Sequence, residues 1–333
     1  MIRFTKVRLF DLIERLKDKN IAVIGDIMAD VYIWGKTNRI SPEAPVPVVD
    51  VFAEEFKLGG AANVALNLKE LGCKTTMFGV IGCDKSGDDL LKEFLKNGID
   101  CSGIVRSDSR KTTTKTRIVA AGQHVVRYDR ENRTPIDTDL ENEIISKFRS
   151  QLHNIDALII EDYNKGLLTE NLIKSIVKIC KEQNIIVTVD PKFSNINAYS
   201  GVTLFKPNLK EAEGILNRTL SGDNDLEIAG NELINLLNLD HLVITLSERG
   251  MALFEKNSKM LIIPAKSASI ANVSGAGDTV IATLTIFLAA GANFQESCSL
   301  ANYAASVVVE DVSVVPIQID SLVARVNEAG VLD

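Results

Sequence analysis

An α/β fold is predicted for this 333-residue chain, because short β-branched runs alternate with segments of helical periodicity. The runs predicted as strands of a parallel sheet span residues 21–25, 75–81, 157–161, 185–190 and 241–246. The helices predicted between them, most of which end at Gly or Asn, span residues 61–71, 86–97, 170–182 and 231–239. This pattern indicates one sheet with helices on both faces.

Two stretches depart from the alternation. Residues 31–57 contain Pro42, Pro45 and Pro47, and residues 112–130 alternate apolar with polar side chains. Gly122 and Gln123 predict a hairpin turn between strands at 114–120 and 125–129. We expect 31–57 and 112–130 to form a small antiparallel sheet, called the lid, inserted in one domain that spans 1–333.

Composition narrows the class of protein. Apolar residues make up 46% and charged residues 24%, which is typical of a folded globular chain. The 44 acidic and 37 basic residues give a net charge of −7, which argues against a nucleic-acid partner. The longest apolar stretch, 280–292, is interrupted by Thr283 and Thr285 and is shorter than the ~20 residues that span a bilayer. We therefore expect a buried helix there, no membrane partner and, without an export signal, a cytoplasmic location.

The cysteines and histidines of the sequence do not indicate a zinc site, a disulfide framework or a histidine-dependent active site. The cysteines include no CxxC pair and are odd in number, so we expect buried, reduced thiols rather than a zinc site or a disulfide framework. They are Cys73, Cys83, Cys101, Cys180 and Cys298. The three histidines share no spacing with each other or with Asp or Cys, which disfavours a histidine-dependent hydrolase.

A glycine-rich turn precedes the long apolar helix. Gly275, Ala276 and Gly277 lead into Asp278. A helix N-terminus after such a turn presents amide N–H groups and the positive end of the helix dipole to an anion, such as a phosphoryl group in transfer. A carboxylate at or near the N-cap can accept the proton of an attacking hydroxyl, which makes Asp278 a candidate base. An ordinary N-cap Asp after a flexible turn is the alternative.

A second glycine cluster lies near the N-terminus. Gly59 and Gly60 precede a predicted helix whose first turn carries Asn63, so they either allow sugar hydroxyls to approach the backbone or make a tight strand-to-helix connection. Asp26 and Asp30 follow the first strand, at the sheet edge where ligands of α/β proteins bind. The two carboxylates are candidates for binding paired sugar hydroxyls, and for Asp30 a solvated turn is the alternative.

Further polar residues are candidates for phosphate contacts. Asn208 and Glu211 stand three apart at a predicted helix start, where they either approach Mg²⁺ and the phosphates or form a cap followed by a first-turn acid. The basic candidates matter only if folding brings them together, since each alone is typical of a surface charge. They are Lys165, Lys192, Arg117 and Arg127.

Together, the two glycine motifs resemble the two signatures of the ribokinase-like (PfkB-type) sugar kinases, and the resemblance covers nearly the whole chain. It implies a three-layer α/β/α sandwich with a small β-sheet lid. The segments 25–30, 39–48, 162–166 and 190–192 resemble one branch, the D-glycero-D-manno-heptose 7-phosphate kinases of lipopolysaccharide precursor synthesis. Members of that branch are often fused to a nucleotidyltransferase, and the end of this chain at Asp333 resembles the stand-alone form.

The resemblance also implies roles for residues. Asp278 is the base that acts on the anomeric hydroxyl, with amides of 275–278 at the γ-phosphoryl, and the cofactors are ATP and Mg²⁺. The sugar and its phosphate are assigned to Asp26, Asp30, Gly59, Gly60, Asn63, Lys165, Lys192, Arg117 and Arg127. The ATP site is assigned to Asn208, Leu209, Lys210, Glu211, Ser247, Gly250 and Asn302, with Glu211 also at the metal. A homodimer through the lid is expected.

The chain departs from the family pattern at two places. Asn272 stands where Asp is common, and residues 310–313 replace a Lys-x-Gly-Thr stretch. A kinase of the same fold for another sugar, or a sugar- or nucleotide-binding regulator without catalysis, therefore stays open at the level of sequence. A Rossmann dehydrogenase is weaker, because Gly25 and Asp26 do not continue as GxGxxG.

Overall fold

The structure is a computed structural model that describes residues 4–120, 122–266, 272–311 and 313–330. Its strands are β1 (Asn20–Gly25), β2 (Ile27–Ile40), β3 (Pro47–Gly60), β4 (Lys74–Gly82), β5 (Asp100–Ser107), β6 (Thr113–Ala120), β7 (Gln123–Arg130), β8 (Ala157–Glu161), β9 (Ile186–Asp190), β10 (Leu204–Phe205), β11 (His241–Thr245), β12 (Met251–Glu255) and β13 (Leu261–Ile263). Its α-helices are α1 (Lys6–Leu16), α2 (Ala61–Glu70), α3 (Lys85–Lys96), α4 (Thr138–Gln151), α5 (Glu170–Glu182), α6 (Leu209–Leu216), α7 (Asp223–Leu237), α8 (Ala276–Ala289), α9 (Phe294–Val308) and α10 (Ile319–Glu328).

The large sheet has nine strands in the order β13-β12-β11-β10-β9-β8-β1-β4-β5. The seven neighbouring strands β11, β10, β9, β8, β1, β4 and β5 pair in parallel. At the other edge, β12 pairs with β11 and β13 pairs with β12, both in antiparallel fashion. All five predicted strands are present, within two residues at each end. Because parallel strands share their direction, the segments that follow β1, β8 and β9 meet at one edge of the sheet.

Hydrophobic cores lie on both faces of this sheet. Alternate residues of β1 divide between them: Ile21 and Val23 pack with α1, α2, α8, α9 and α10, whereas Ala22 and Ile24 pack with α4, α5 and α7. This confirms a helix–sheet–helix sandwich. The predicted buried apolar helix is α8, whose side chains are buried from Asp278 to Phe287. No helix among the described residues is long and apolar enough to cross a membrane.

A second sheet of four strands, in the order β3-β2-β6-β7, corresponds to the predicted lid. Strands β2 and β3 run antiparallel, β2 and β6 run parallel, and β6 and β7 form the predicted hairpin. Gly122 adopts φ +75° in its turn, but Gln123 belongs to β7 rather than to the turn. The sheet covers the edge of the molecule next to Gly59 and Gly60, where β3 runs directly into α2.

Two sequence predictions were wrong in detail. The helix predicted at 231–239 is the second half of α7, which begins at Asp223, because Asp223 and Asp225 in its first turn favour an earlier start. Cys83 is exposed, since it lies in the loop after β4, and Cys101 is only half-buried. The other three thiols are buried as expected, and burial raises the pKa of Cys73 and of Cys180 to about 12.

Candidate active site

A cavity of about 440 Å³ opens between the carboxyl ends of the parallel strands and the N-terminus of α8. The predicted site residues that line it are Lys192, Asn208, Glu211, Ser247, Gly250, Ala276, Gly277, Asp278 and Asn302. Lys210 lies exposed on α6, outside this lining, and Leu209 is half-buried beside it. The fold therefore brings residues that are spread in sequence from Glu161 to Val309 to one cleft, as open α/β sheets commonly do.

Asp278 is buried, with 7% of its surface exposed, and it faces this cavity. It is the third residue of α8 rather than the N-cap, which is Gly275 with φ +81°. The Asn63 amide donates to Asp278 Oδ2 at 2.7 Å, and the Tyr163 hydroxyl donates to Oδ1 at 2.8 Å. Burial raises the pKa of Asp278 to about 6, and these two hydrogen bonds oppose the shift. Such a carboxylate is largely ionised at neutral pH and can accept a proton.

The backbone around Asp278 supports anion binding in part. The amide of Ala276 donates to the Val273 carbonyl at 3.3 Å, whereas within the described part of the chain the amides of Gly275, Gly277 and Asp278 have no acceptor. A Cβ placed on Gly277 would lie 3.7 Å from both Asp190 Oδ2 and Lys206 Nζ, so the helix start is open toward those side chains. We conclude that three of the four expected amides remain available to an anion.

Three acidic side chains converge beside this helix start. Oxygen atoms of Glu161, Asp190 and Asp278 lie within 4.8 Å of one another, and Lys206 Nζ lies 2.7 Å from Asp190 Oδ2. Burial, and after it the charges of Asp190 and Asp278, raises the pKa of Glu161 well above its usual range. Among the described residues, none forms a hydrogen bond with the buried Oε2 atom of Glu161. A cation is the chemistry that would relieve this crowding.

Glu161, Tyr163 and Lys206 were missed by the sequence analysis. Each follows or ends a parallel strand, so the rule that ligands gather at carboxyl ends of strands could have found Glu161. Tyr163 contacts a residue 115 positions away, which no local pattern reveals. Burial raises the pKa of its hydroxyl, followed by the effect of the Asp278 charge, so Tyr163 is a hydrogen-bond donor there.

Asp26, which was predicted to bind the sugar, forms hydrogen bonds with the backbone of the protein. Its carboxylate accepts hydrogen bonds from the backbone amides of Tyr163 and Lys165, both at 3.0 Å, and of Leu167 at 3.4 Å. Burial raises its pKa, and these amides oppose the shift. Asp26 therefore holds the loop after β8 and, through it, the Tyr163 hydroxyl at Asp278. Its contact with a sugar stays a prediction.

The first glycine pair is a tight strand-to-helix connection. Gly60 adopts φ +58°, and a Cβ there would lie 2.6 Å from the Asp26 carbonyl oxygen. A Cβ on Gly59 would lie 2.5 Å from Asp30 Oδ2. These contacts place Asn63, in the first turn of α2, within reach of Asp278. The packing alternative is thus observed, and it is also what positions Asn63.

The basic candidates divide by location. Arg117 pairs with Asp30 on the lid, Lys165 lies 2.6 Å from Glu131, and Lys192 pairs with Glu211 in the cavity. Arg127 is exposed on β7, paired with Asp129 at 3.0 Å. Lys192 alone among these four lines the cavity. The fold does not gather them into one cluster around a single phosphate.

On the nucleotide side, Asn208 and Glu211 form a capping box at the start of α6. The Glu211 amide donates to Asn208 Oδ1 at 2.9 Å, and the Asn208 amide donates to Glu211 Oε2 at 2.8 Å. Glu211 is not among the three converging carboxylates. Across the cavity, Asn302 donates to the Pro264 carbonyl at 2.8 Å, and Gly250 adopts φ +90° beside the exposed Ser247.

The two departures from the family pattern have local structural roles. Asn272 Oδ1 accepts a hydrogen bond from the Ser274 amide at 2.8 Å, so the oxygen that Asp and Asn share is used in the turn. Glu310 pairs with Arg325 of α10 at 2.7 Å, and Asp311 accepts from the Ser313 amide. Val312 lies outside the described residues.

The family model described as "pfkB family carbohydrate kinase" matches residues 18–319. This chain belongs to that family. It is 43% identical over 298 residues to "Bifunctional protein HldE" of Geobacter metallireducens, covering 90% of this chain and 61% of that protein. It is 44% identical over 290 residues to the protein of the same name from Geobacter sulfurreducens, covering 87% and 59%. The chain thus spans about three-fifths of the length of these curated relatives.

Solved structures share the fold. Phosphofructokinase-2 from Escherichia coli in complex with substrates and products superposes with a TM-score of 0.78 at 18% identity, covering 94% of this chain and 99% of that one. Ribokinase from Arabidopsis thaliana complexed with ribose and ATP gives 0.72 at 17% identity, covering 92% and 98%. These matches confirm the ribokinase-like sandwich. Family membership confirms that the chain is an ATP-dependent carbohydrate kinase.

Proposed function

We propose that the chain phosphorylates the anomeric hydroxyl of D-glycero-D-manno-heptose 7-phosphate, with Asp278 as general base. The observation that carries this is the position of Asp278 at the open N-terminus of α8, hydrogen-bonded on both oxygens and facing the cavity. The sugar rests on the resemblance of the segments 25–30, 39–48, 162–166 and 190–192 to heptose 7-phosphate kinases. The relatives named HldE agree with that branch.

In the proposed mechanism, an Asp278 oxygen takes the proton of the anomeric hydroxyl as its oxygen bonds to the γ-phosphorus of ATP and the bond to the β-phosphate oxygen breaks. The amides of Gly277 and Asp278 donate to the transferring phosphoryl oxygens. The Tyr163 hydroxyl and the Asn63 amide fix the carboxylate in place. No covalent phosphoenzyme is required.

The acidic side chains fit Mg²⁺. Their donor atoms are all oxygen, as Mg²⁺ prefers, and Glu161 Oε2 has no hydrogen-bond partner in the part of the chain that the structure describes. Glu161 and Asp190 would hold the ion, with Glu211 on the same cavity wall. When bound, Mg²⁺ neutralises phosphate charge. Lys206, buried against Asp190, and Lys192 supply further positive charge beside the phosphates.

A homodimer through the lid is part of the proposal. One face of the lid carries Val126 and Tyr128, and the opposite face carries Asp30 and Arg117. Val126 is 48% exposed and Tyr128 is 51% exposed. Apolar side chains exposed on a sheet face favour burial against a partner. Light scattering of the purified protein tests this, since Val126→Glu with Tyr128→Lys should leave a monomer. Unchanged mass in the double variant would contradict it.

The experiment that tests the function is an ADP-release assay with D-glycero-D-manno-heptose 7-phosphate, fructose 6-phosphate, ribose and a nucleoside as acceptors. The proposal predicts the highest kcat/KM for the heptose phosphate. A higher value for any other acceptor would reassign the substrate within the family, and ligand-dependent thermal stabilisation without ADP release would favour a regulator instead.

A further inference from the structure

The loop after β8, residues 162–168, presents Tyr163 to Asp278 and has no regular secondary structure of its own. Backbone groups in such a loop need partners other than those that a helix or a sheet supplies. Asn164 lies in the left-handed region at φ +54°, and its amide donates to Asp162 Oδ1 at 2.7 Å. Side chains therefore decide where this loop, and with it the Tyr163 hydroxyl, is placed.

Arg110 contacts this loop from the direction of the lid. Its guanidinium donates to the carbonyl oxygen of Lys165 at 2.7 Å, to that of Asn132 at 3.0 Å and to that of Thr134. These carbonyls belong to two segments that are separate in sequence: the loop after β8, and residues 131–136, which follow β7 of the lid. One planar set of donors thus joins the end of the lid to the loop after β8.

The surroundings of Arg110 are those of a residue that fixes backbone positions. Two residues further along, the hydroxyl and the amide of Thr112 donate to Asp84 at 2.7 and 3.0 Å, which anchors the segment that carries Arg110. Burial lowers the pKa of Arg110, and the charges of Asp26 and Asp137 oppose that shift. Among the described residues, however, none of the ion pairs within 4.0 Å involves Arg110. Its hydrogen bonds go to backbone carbonyls instead.

The two joined segments pack closely enough to move together. A Cβ on Gly166 would overlap the carbonyl of Thr134. On the other side of the loop, the amide of Lys165 donates to Asp26 Oδ2 at 3.0 Å, while the carbonyl of Lys165 accepts from Arg110. The backbone of Lys165 is therefore held at both of its polar groups, each by a different charged side chain.

We propose that Arg110 is a positioning residue for phosphoryl transfer, which acts through the loop after β8 to keep the Tyr163 hydroxyl on Asp278. The inference rests on the proposed role of Asp278 as base. Without the guanidinium, the carbonyl of Lys165 lacks its donor and one side of the loop is released. Tyr163 lies two residues before Lys165, so a displacement of ~1 Å there is enough to stretch its 2.8 Å hydrogen bond beyond the normal range. The carboxylate then loses a donor that orients it.

The test is a double-mutant cycle between Arg110→Gln and Tyr163→Phe, followed by ADP release at saturating ATP and acceptor. Arg110→Gln alone should lower kcat ~3–30-fold and change the KM values for ATP and for the acceptor less than about two-fold. In the Tyr163→Phe background it should lower kcat less than about two-fold, because the hydroxyl through which it acts is already absent. Arg106→Gln is the matched control, since Arg106 is exposed on β5 and pairs with Asp88 at 2.7 Å. Its kcat should equal that of the wild type.

The conservative variant Arg110→Lys keeps the charge but not the planar set of donors, so its kcat should lie between those of the wild type and Arg110→Gln. Should Arg110→Gln melt near the assay temperature, Arg110→Lys carries the same cycle. Losses that multiply in the double variant would overturn the inference, and so would an unchanged kcat in Arg110→Gln or in Tyr163→Phe. A raised KM for the acceptor with unchanged kcat would make Arg110 an acceptor contact rather than a positioning residue.

Failure of the proposed function gives a different result. Rates are measured with the acceptor that the wild type phosphorylates best, so a wrong assignment of the sugar does not affect the cycle. Asp278→Asn is measured beside the other variants. Near-normal turnover in Asp278→Asn would remove the base, whereas multiplying losses together with an impaired Asp278→Asn would remove only the role of Arg110.

Discussion

The two glycine-rich turns begin helices that lie side by side, and they use glycine for different reasons. At Gly60 the backbone is in the left-handed region, and a Cβ would collide with the Asp26 carbonyl oxygen at 2.6 Å. At Gly277 the nearest atoms that a Cβ would meet among the described residues lie 3.7 Å away, and the residue lines the cavity. The first turn needs glycine for close packing, whereas the second keeps a helix start open.

This difference shows how one motif serves the other. The tight turn at Gly60 sets the start of α2, and Asn63 in its first turn donates to Asp278 in the first turn of α8. One turn further along α2, Asn67 Oδ1 accepts a hydrogen bond from the Thr279 hydroxyl of α8 at 3.0 Å. The packing motif therefore orients the chemical motif. The predictions below are designed to separate the two contributions.

The largest expected effect is that of Asp278→Asn. Loss of the carboxylate that accepts the proton should lower kcat by ~10²–10⁴-fold. The affinity for ATP, measured by calorimetry, should stay within a few-fold of the wild type, since the amides of the turn are kept. Near-normal turnover in this variant would remove Asp278 from the mechanism.

Tyr163→Phe is expected to have the next largest effect. The change removes a hydrogen bond to a charged carboxylate, worth ~1.5–3 kcal/mol, so kcat should fall ~10–100-fold with little change in KM for ATP. Tyr199→Phe is a matched control, because the Tyr199 hydroxyl donates to Asp162 at 2.9 Å in a buried setting away from Asp278. Equal kcat values in the two variants would show that Tyr163 has no role at the base.

Two glycine substitutions contrast packing with chemistry. Gly60→Ala should lower the free energy of unfolding by about 1–3 kcal/mol, through the left-handed backbone and the close carbonyl. Gly277→Ala should leave the melting temperature nearly unchanged and lower kcat/KM about 10-fold, because its methyl group stands beside the phosphoryl position. Both are measured by thermal unfolding and initial rates. The contrast fails if Gly277→Ala destabilises the protein as much as Gly60→Ala does.

The smallest predicted effect concerns pH. With the pKa of Asp278 raised to about 6 by burial, its ionised fraction falls as the pH drops below that value, and kcat/KM should fall with it. Asn63→Leu removes a donor that favours the ionised form, so the acidic limb should move up by about one pH unit. Glu161, Asp190 and Lys206 also face Asp278, and all three residues are the same in the wild type and in Asn63→Leu. An unmoved limb in Asn63→Leu would contradict this account of the pKa.

Much of the fold was predictable from sequence because it depends on local patterns. Strand–helix alternation identified the parallel strands, and alternation with turn residues identified the lid. Helix ends were predicted less well: α7 begins eight residues before the predicted start, whereas Asp278 lies in the first turn of α8, close to the N-cap as expected. These boundaries depend on which polar group satisfies the first amides, which tertiary packing decides.

The candidate site was predictable only in part. The glycine motifs located Asp278 and Asn63, but the convergence of Glu161 with Asp190, and the Tyr163 hydrogen bond to Asp278, arise from strand order. The sequence placed Asp26 directly after the first strand, where the structure has it. The spacing of residues in the sequence could not predict its hydrogen bonds with the amides of the loop after β8. Pairing between residues far apart in sequence is what a single sequence does not display.

The most direct test of the central claim identifies the phosphorylated oxygen. Purified protein, ATP, Mg²⁺ and D-glycero-D-manno-heptose 7-phosphate are incubated, and the product is followed by ³¹P NMR beside ADP release. The account predicts one ADP for each new phosphate, with that phosphate on the anomeric oxygen. The Asp278→Asn variant should form this product much more slowly. A phosphate on another hydroxyl, or ADP release without a sugar product, would contradict it.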